Sequence, residues 1–297
     1  MEILQEHNDK IKALLGNGFK ENTLKGYVTS LKHLASFIRS QYKKSDIEAT
    51  KINYAFVTNY DFFLRKTVKC SDISVAKYMK HLRKIINLCL AHKWISDNPF
   101  AAYKNSARPK ERDFLTKEEL RSIRYKEFII QRLDQVRDIF VFCCYTGLSY
   151  ADVRKLKRAE IRKGDDGKLW IFTKREKTLT SSHVPLVKPA QALYDKYTDH
   201  PTCEHSGLAF PVLSNQNMNG YLKEIADLCS VQKQLTFHIA RHTFATTVTL
   251  GNDVPIESVS KMLGHKDIKT TMHYAKILNS KISRDMGMLD EKLQNDF

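Results

Sequence analysis

Apolar residues recur at helical spacing through the first third of the chain. Leu24, Tyr27, Leu31, Leu34 and Phe37, closed by Ile38, fall on one helix face, with Asn22 and Thr23 available as caps. A second helix is predicted from about Ile73 to Ala91, with Val75, Tyr78, Met79, Leu82, Ile85, Ile86 and Leu90 on its apolar side. Lys77, Lys80, Arg83 and Lys84 fall largely elsewhere and give that helix a basic side. The periodicity then stops. After Asn98-Pro99, the stretch from Ala101 to Arg112 carries Lys104, Arg108, Pro109, Lys110 and Arg112, and its proline and alternating polar residues oppose a helix. It is expected to be an exposed basic linker.

Thr116-Lys117-Glu118-Glu119 looks like a helix start, with a threonine cap and a glutamate three residues on, so a second domain is expected near 113. It opens with helices, including the strongly apolar Ile139 to Tyr145, and Ser149-Tyr150-Ala151-Asp152 fits a further helix cap. Leu169 to Thr173 and Ser182 to Leu186 predict a small β-hairpin. Beyond about 188 the pattern is helical again. Gly264 can end a helix over Ile256 to Met262, and Asp267 can cap a short one carrying Thr270, Thr271, His273 and Tyr274. Lys276 to Phe297 places Ile277, Ile282, Met286, Met288 and Leu289 on an amphipathic helix that docks on a neighbouring protomer or packs in cis. The expected fold is mainly α with a small β-hairpin or sheet.

Charge narrows the class of partner. The chain of 297 residues has a net charge of +16. Residues 1–112 hold 21 Lys+Arg against 10 Asp+Glu, so the first third carries most of the excess. Such a balance points to a polyanion, nucleic acid above all, with a solubilising surface as the plain alternative. Six cysteines without CxxC spacing look like reduced, mostly buried thiols, as in a cytoplasmic protein. No signal peptide and no apolar run of about 20 residues appears, which excludes a membrane helix.

The candidate chemistry lies late in the chain. His238-Ile239-Ala240-Arg241 is followed by Leu263-Gly264-His265 and, nine residues further, by Tyr274. Two histidines and an arginine can hold and neutralise a phosphate while a tyrosine hydroxyl attacks it, with no metal or other cofactor. His238 and Arg241, three apart, share a helix face. His238 and His242 have a spacing that zinc can use, but Ile239 stands where the zincin pattern wants glutamate, so no metal site is expected.

These pieces together resemble the tyrosine recombinase (phage integrase) family. The matching segments are Thr146-Gly147-Leu148, Lys177-Thr178 ahead of Val184-Pro185-Leu186, His238 to Ala245, Leu263-Gly264-His265 and Tyr274. Thr23-Leu24-Lys25-Gly26-Tyr27 and Asn98-Pro99-Phe100 look most like integrases of conjugative transposons and related mobile elements. The resemblance implies a helical, SAM-like core-binding domain over 1–105, a linker over 106–112, and a catalytic domain of the DNA breaking-rejoining fold over 113–297. It implies that Tyr274 forms a 3′-phosphotyrosyl intermediate, Arg241 stabilises phosphoryl charge and His265 hydrogen-bonds a nonbridging oxygen. His238 would assist proton transfer, and Lys177, with Lys174 as a nearby competitor, would protonate the leaving 5′-oxygen. The implied partners are double-stranded DNA gripped in a C-shaped clamp, a homo-tetramer on two recombination sites, and a DNA-bending accessory protein. Mobile-element integrases commonly carry an arm-binding domain too, and Met1 to Gly18 looks only like a connector into the core-binding domain. A DNA inversion recombinase, a type IB topoisomerase and a non-catalytic DNA-binding regulator are the competing readings.

One position departs from the pattern. The family has an arginine directly after Thr-Gly-Leu, and this chain has Ser149. Serine supplies no cation, so another arginine is expected in the site. Arg137, on the helix leading into the turn, is the expected substitute; Arg154 on the following helix points away from Ser149.

Overall fold

A computed structural model describes residues 1–105, 113–275 and 279–296. The chain divides into two compact units, Met1–Glu111 and Arg112–Phe297. The expected basic linker at 106–112 lies outside the described residues.

The first unit consists of α1 (Glu2–Ala13), α2 (Glu21–Tyr42), α3 (Tyr54–Lys66) and α4 (Asp72–Ala91). α2 starts ahead of its expected caps: Lys20 holds the cap position, its side chain not capping the helix, and Asn22 and Thr23 lie within the first turn. Glu21, the first helical residue, places a negative charge at the positive end of the helix dipole. Phe37 is the centre of the core, with ring centroids 5.1 Å from Phe56, 5.2 Å from Tyr60 and 5.4 Å from Phe63. α4 buries Val75, Tyr78, Met79, Leu82, Ile85 and Ile86 as its spacing predicts, while Cys89 takes the buried position expected of Leu90. Lys77, Lys80, Arg83 and Lys84 are exposed.

The second unit is built around α6 (Gln131–Thr146). Val136 to Cys144 are buried without a break, so this helix is covered on every side. It is preceded by α5 (Lys117–Tyr125), which opens on the predicted Thr116–Glu119 capping box. It is followed by α7 (Tyr150–Lys155), which opens on a second such box between Ser149 and Asp152. Gly147 ends α6 at φ +70°, and a Cβ there would meet the Phe244 ring at 2.5 Å, so both backbone and packing require glycine. Next come β1 (Ile161–Lys163), β2 (Leu169–Lys174) and β3 (Ser181–Pro185), an antiparallel sheet in that order. The chain then continues through α8 (Lys188–Asp195), α9 (Pro201–Ser206), α10 (Asn215–Leu228) and α11 (Phe237–Thr243). A π-helical turn, Phe244–Thr249, separates α11 from α12 (Ile256–Met262), α13 (Lys269–Ala275) and α14 (Asn279–Asp296). The architecture is mainly helical with one small sheet, as expected.

Candidate active site

Thr236 caps α11 by accepting from the Ile239 amide, and the helix then turns His238 outward and buries Arg241 and His242. Arg241 is 5% exposed. Its Nη1 donates to the Gly147 carbonyl at 2.6 Å and its Nη2 to the Leu263 carbonyl at 2.5 Å. Nη2 also lies 3.2 Å from His265 Nε2. Burial, and then the neighbouring Arg175, lower the Arg241 pKa to about 10, which leaves it a cation at neutral pH.

A guanidinium only donates, so His265 Nε2 accepts from it and the imidazole hydrogen sits on Nδ1. That nitrogen donates to Thr271 Oγ1 at 2.8 Å. Burial, followed by the charges of Arg241 and Arg175, lowers the His265 pKa to about 4. The ring is therefore neutral, with its tautomer set by a buried threonine.

The β2–β3 hairpin is stapled to the same turn by three consecutive carbonyls. Met262 O accepts from Ser182 Oγ at 2.5 Å, Leu263 O from Arg175 Nη1 at 3.2 Å, and Gly264 O from Thr180 Oγ1 at 2.7 Å. Gly264 has φ +59°, and a Cβ on it would stand 2.7 Å from Arg175 Cδ. Its lack of a side chain is what lets the Arg175 stem pass. On its other side, Arg175 Nε is 3.6 Å from the Asp152 carboxylate. That carboxylate also accepts from Ser149 Oγ at 2.7 Å and from the Glu176 amide at 2.8 Å. Asp152 thus ties the cap that Ser149 forms to the turn that carries Arg175.

Tyr274, on α13, is 6% exposed. Its ring lies edge-on to His242 at 4.9 Å and parallel to His265 at 6.3 Å. The nearby Tyr274 works against that lowering of the Arg241 pKa and helps to keep the arginine charged. The nucleophile candidate therefore sits among Arg241, His242 and His265 of its own chain. His238 joins through His242, their Nε2 atoms being 3.0 Å apart. Lys177 is exposed on the hairpin turn, two residues beyond Arg175.

Arg137 does not join this group. Its guanidinium donates through Nε to Asp138 at 2.6 Å, through Nη1 to the carbonyls of Arg124 and Lys126, and through Nη2 to Asp134. It also faces the Phe128 ring. Ten residues of helix separate it from Gly147, a rise of about 15 Å. Arg137 fastens the α5–α6 loop, and the second guanidinium at the site belongs to Arg175. Sequence reasoning missed Arg175 because it sits in a run of charged turn residues, Lys174 to Lys177, where nothing marks one cation as buried.

Residues 1–105 match the phage integrase SAM-like domain, and residues 114–281 match the phage integrase family. The second match spans more than half of the chain, and the chain belongs to the phage integrase family. The tyrosine recombinase XerD of Listeria innocua serovar 6a is 26% identical over 281 residues, which cover 89% of this chain and 91% of that protein. Two solved structures share the fold. A lambda integrase tetramer bound to a Holliday junction superposes with a TM-score of 0.69 at 17% identity, over 91% of this chain and 76% of that one. The Tn1549 transposon integrase in complex with a circular intermediate DNA gives 0.67 at 15% identity, over 92% and 94%.

Proposed function

We propose that this member of the family is a site-specific recombinase that cleaves and rejoins duplex DNA at the site formed by Arg175, Arg241, His265 and Tyr274. The observation that carries this reading is the convergence of two guanidinium groups on one carbonyl, that of Leu263, beside a buried tyrosine. The Asp152 carboxylate offsets part of this paired positive charge, and the remainder favours an entering anion. A phosphodiester is such an anion, and the tyrosine hydroxyl beside it supplies the nucleophile.

In this reading the Tyr274 oxygen bonds to phosphorus and the bond to the 5′-oxygen breaks, leaving a 3′-phosphotyrosyl link. The phenolic proton passes to His238, and Lys177 gives a proton to the departing 5′-oxygen. Arg175 and Arg241 neutralise the nonbridging oxygens in the transition state. Phosphate charge beside His265 raises its proton affinity, so that Nε2 turns from acceptor to donor. The phosphodiester energy is kept in the covalent link, so religation needs no nucleotide cofactor.

The basic α4 side, with the positive excess of residues 1–112, fits phosphate contacts along double-stranded DNA, which would make affinity salt-dependent. Recombination needs four such sites on two DNA segments. The exposed Met286, Met288, Leu289 and Leu293 of α14 suit exchange between protomers of a homo-tetramer. A mobile element is the substrate that the integrase likeness favours, with a DNA-bending accessory protein to assemble it.

The test is incubation with a nicked half-site from DNA flanking the encoding element. A covalent protein–DNA adduct mapped to Tyr274 and absent from Tyr274→Phe supports the proposal. DNA binding without any adduct favours a non-catalytic DNA-binding regulator.

A further inference from the structure

We propose that His242 is a positioning residue that holds the tautomer and orientation of His238, so that the two imidazoles act as one unit beside Tyr274. This inference rests on the recombinase reading of the site. The Nε2 atoms of the two rings are 3.0 Å apart, a distance at which one must carry a hydrogen and the other must accept it. The rings stand at 79° with centroids 4.5 Å apart, and the i, i+4 spacing on α11 holds them there.

The two histidines differ in environment. His242 is 5% exposed, whereas His238 is exposed. A buried ring nitrogen is costly unless hydrogen-bonded, so His242 is tied to a partner inside the site rather than to water. His242 also meets Tyr274, whose ring lies edge-on at 4.9 Å. His242 thus links the exposed imidazole to the tyrosine. When His238 takes up a proton, the resulting imidazolium still donates through Nε2, and the acceptor form of His242 stabilises it. A base whose orientation is set by a third group is the general arrangement for activating a hydroxyl nucleophile. The competing account is that His242 only fills space under α11.

The experiment is single-turnover cleavage of a nicked half-site by the full chain, with half-site binding measured alongside. His242→Phe keeps the ring and removes Nε2; cleavage is expected to slow by about tenfold or more with binding unchanged. His242→Gln, which restores an amide near that position, is expected to recover most of the rate. His238→Ala combined with His242→Phe is expected to be no slower than His238→Ala alone, because the residues act as a unit. Losses that multiply, or a His242→Phe rate equal to the parent's, would overturn the proposal. Should His242→Phe fail to fold, histidine nitrogen spectra of the parent protein decide. One bare and one hydrogen-bearing Nε2 is expected for the pair, and two alike would refute it. A parent protein that forms no Tyr274 adduct sinks the recombinase reading instead, and leaves those spectra to judge the pair.

Discussion

Arg175 and Arg241 donate to the same acceptor, the carbonyl oxygen of Leu263, at 3.2 and 2.5 Å. One arginine comes from a hairpin turn and the other from a helix, yet both end at the turn that presents His265. A family position normally occupied by arginine holds Ser149, which caps α7 through Asp152. The same Asp152 lies against Arg175. Asp152 therefore joins the cap at Ser149 to a guanidinium brought in by a different segment of chain.

Gly264 is where this arrangement is most easily broken. Gly264→Ala puts a methyl group 2.7 Å from Arg175 Cδ and forces a side chain onto φ +59°. Displacement of Arg175 is expected to slow half-site cleavage about a hundredfold, on the scale of one lost transition-state donor. Single-turnover kinetics at saturating enzyme separates this from weaker DNA binding. An unchanged rate would show that Arg175 is not needed in its observed place.

Thr271 holds the tautomer of His265 from a fully buried position. Thr271→Val keeps the volume and removes the acceptor for Nδ1–H. A loss of about 1–3 kcal/mol in unfolding free energy is expected, together with slower cleavage. Thr271→Ser keeps the acceptor and is expected to retain the cleavage rate. Equal rates for valine and serine would refute the role given to the hydroxyl.

Acid should destabilise both units through histidines that burial holds neutral, His7, His33 and His81 in the first and His265 in the second. Burial, aided by neighbouring cations, lowers His81 in the first unit and His265 in the second from 6.5 to about 4. Between those values the unfolded chain binds more protons than the folded one, so stability rises with pH and falls on acidification. Unfolding midpoints are expected to drop as pH goes from about 6.5 towards 4. His265→Gln is expected to flatten that dependence in the catalytic unit. A slope unchanged in His265→Gln would show that this histidine does not contribute.

The helices were legible wherever apolar spacing was sustained. α4 starts within one residue of its expected position, and α12 spans the expected residues, because α4 sustains one apolar face and α12 ends on Gly264. β1 was not anticipated: Ile161-Arg162-Lys163 is too short to show alternation and is a strand only because β2 pairs with it. Ser149 was readable as a cap, since the Ser-x-x-Asp pattern is local. Arg175 was not, because its burial depends on Gly264, Asp152 and Leu263, which lie far from it in sequence. Arg137 looked suitable for position alone, and only its bonds to Asp134, Asp138 and two carbonyls show it occupied elsewhere. Local rules find the starts of α5 and α7 but not that of α2; which cation faces a site is decided by tertiary contacts.

The most direct measurement sets Arg175→Ala beside Arg137→Ala in single-turnover cleavage of a nicked half-site, with thermal unfolding of each protein. Arg175→Ala is expected to fold and to cleave about 10²–10³ times more slowly, the usual cost of removing a transition-state donor. Arg137→Ala leaves Asp138 buried with less compensation and is expected to lose about 3 kcal/mol of stability, while its folded fraction cleaves at the parent rate. The opposite pattern, with cleavage lost in Arg137→Ala and kept in Arg175→Ala, would contradict the account.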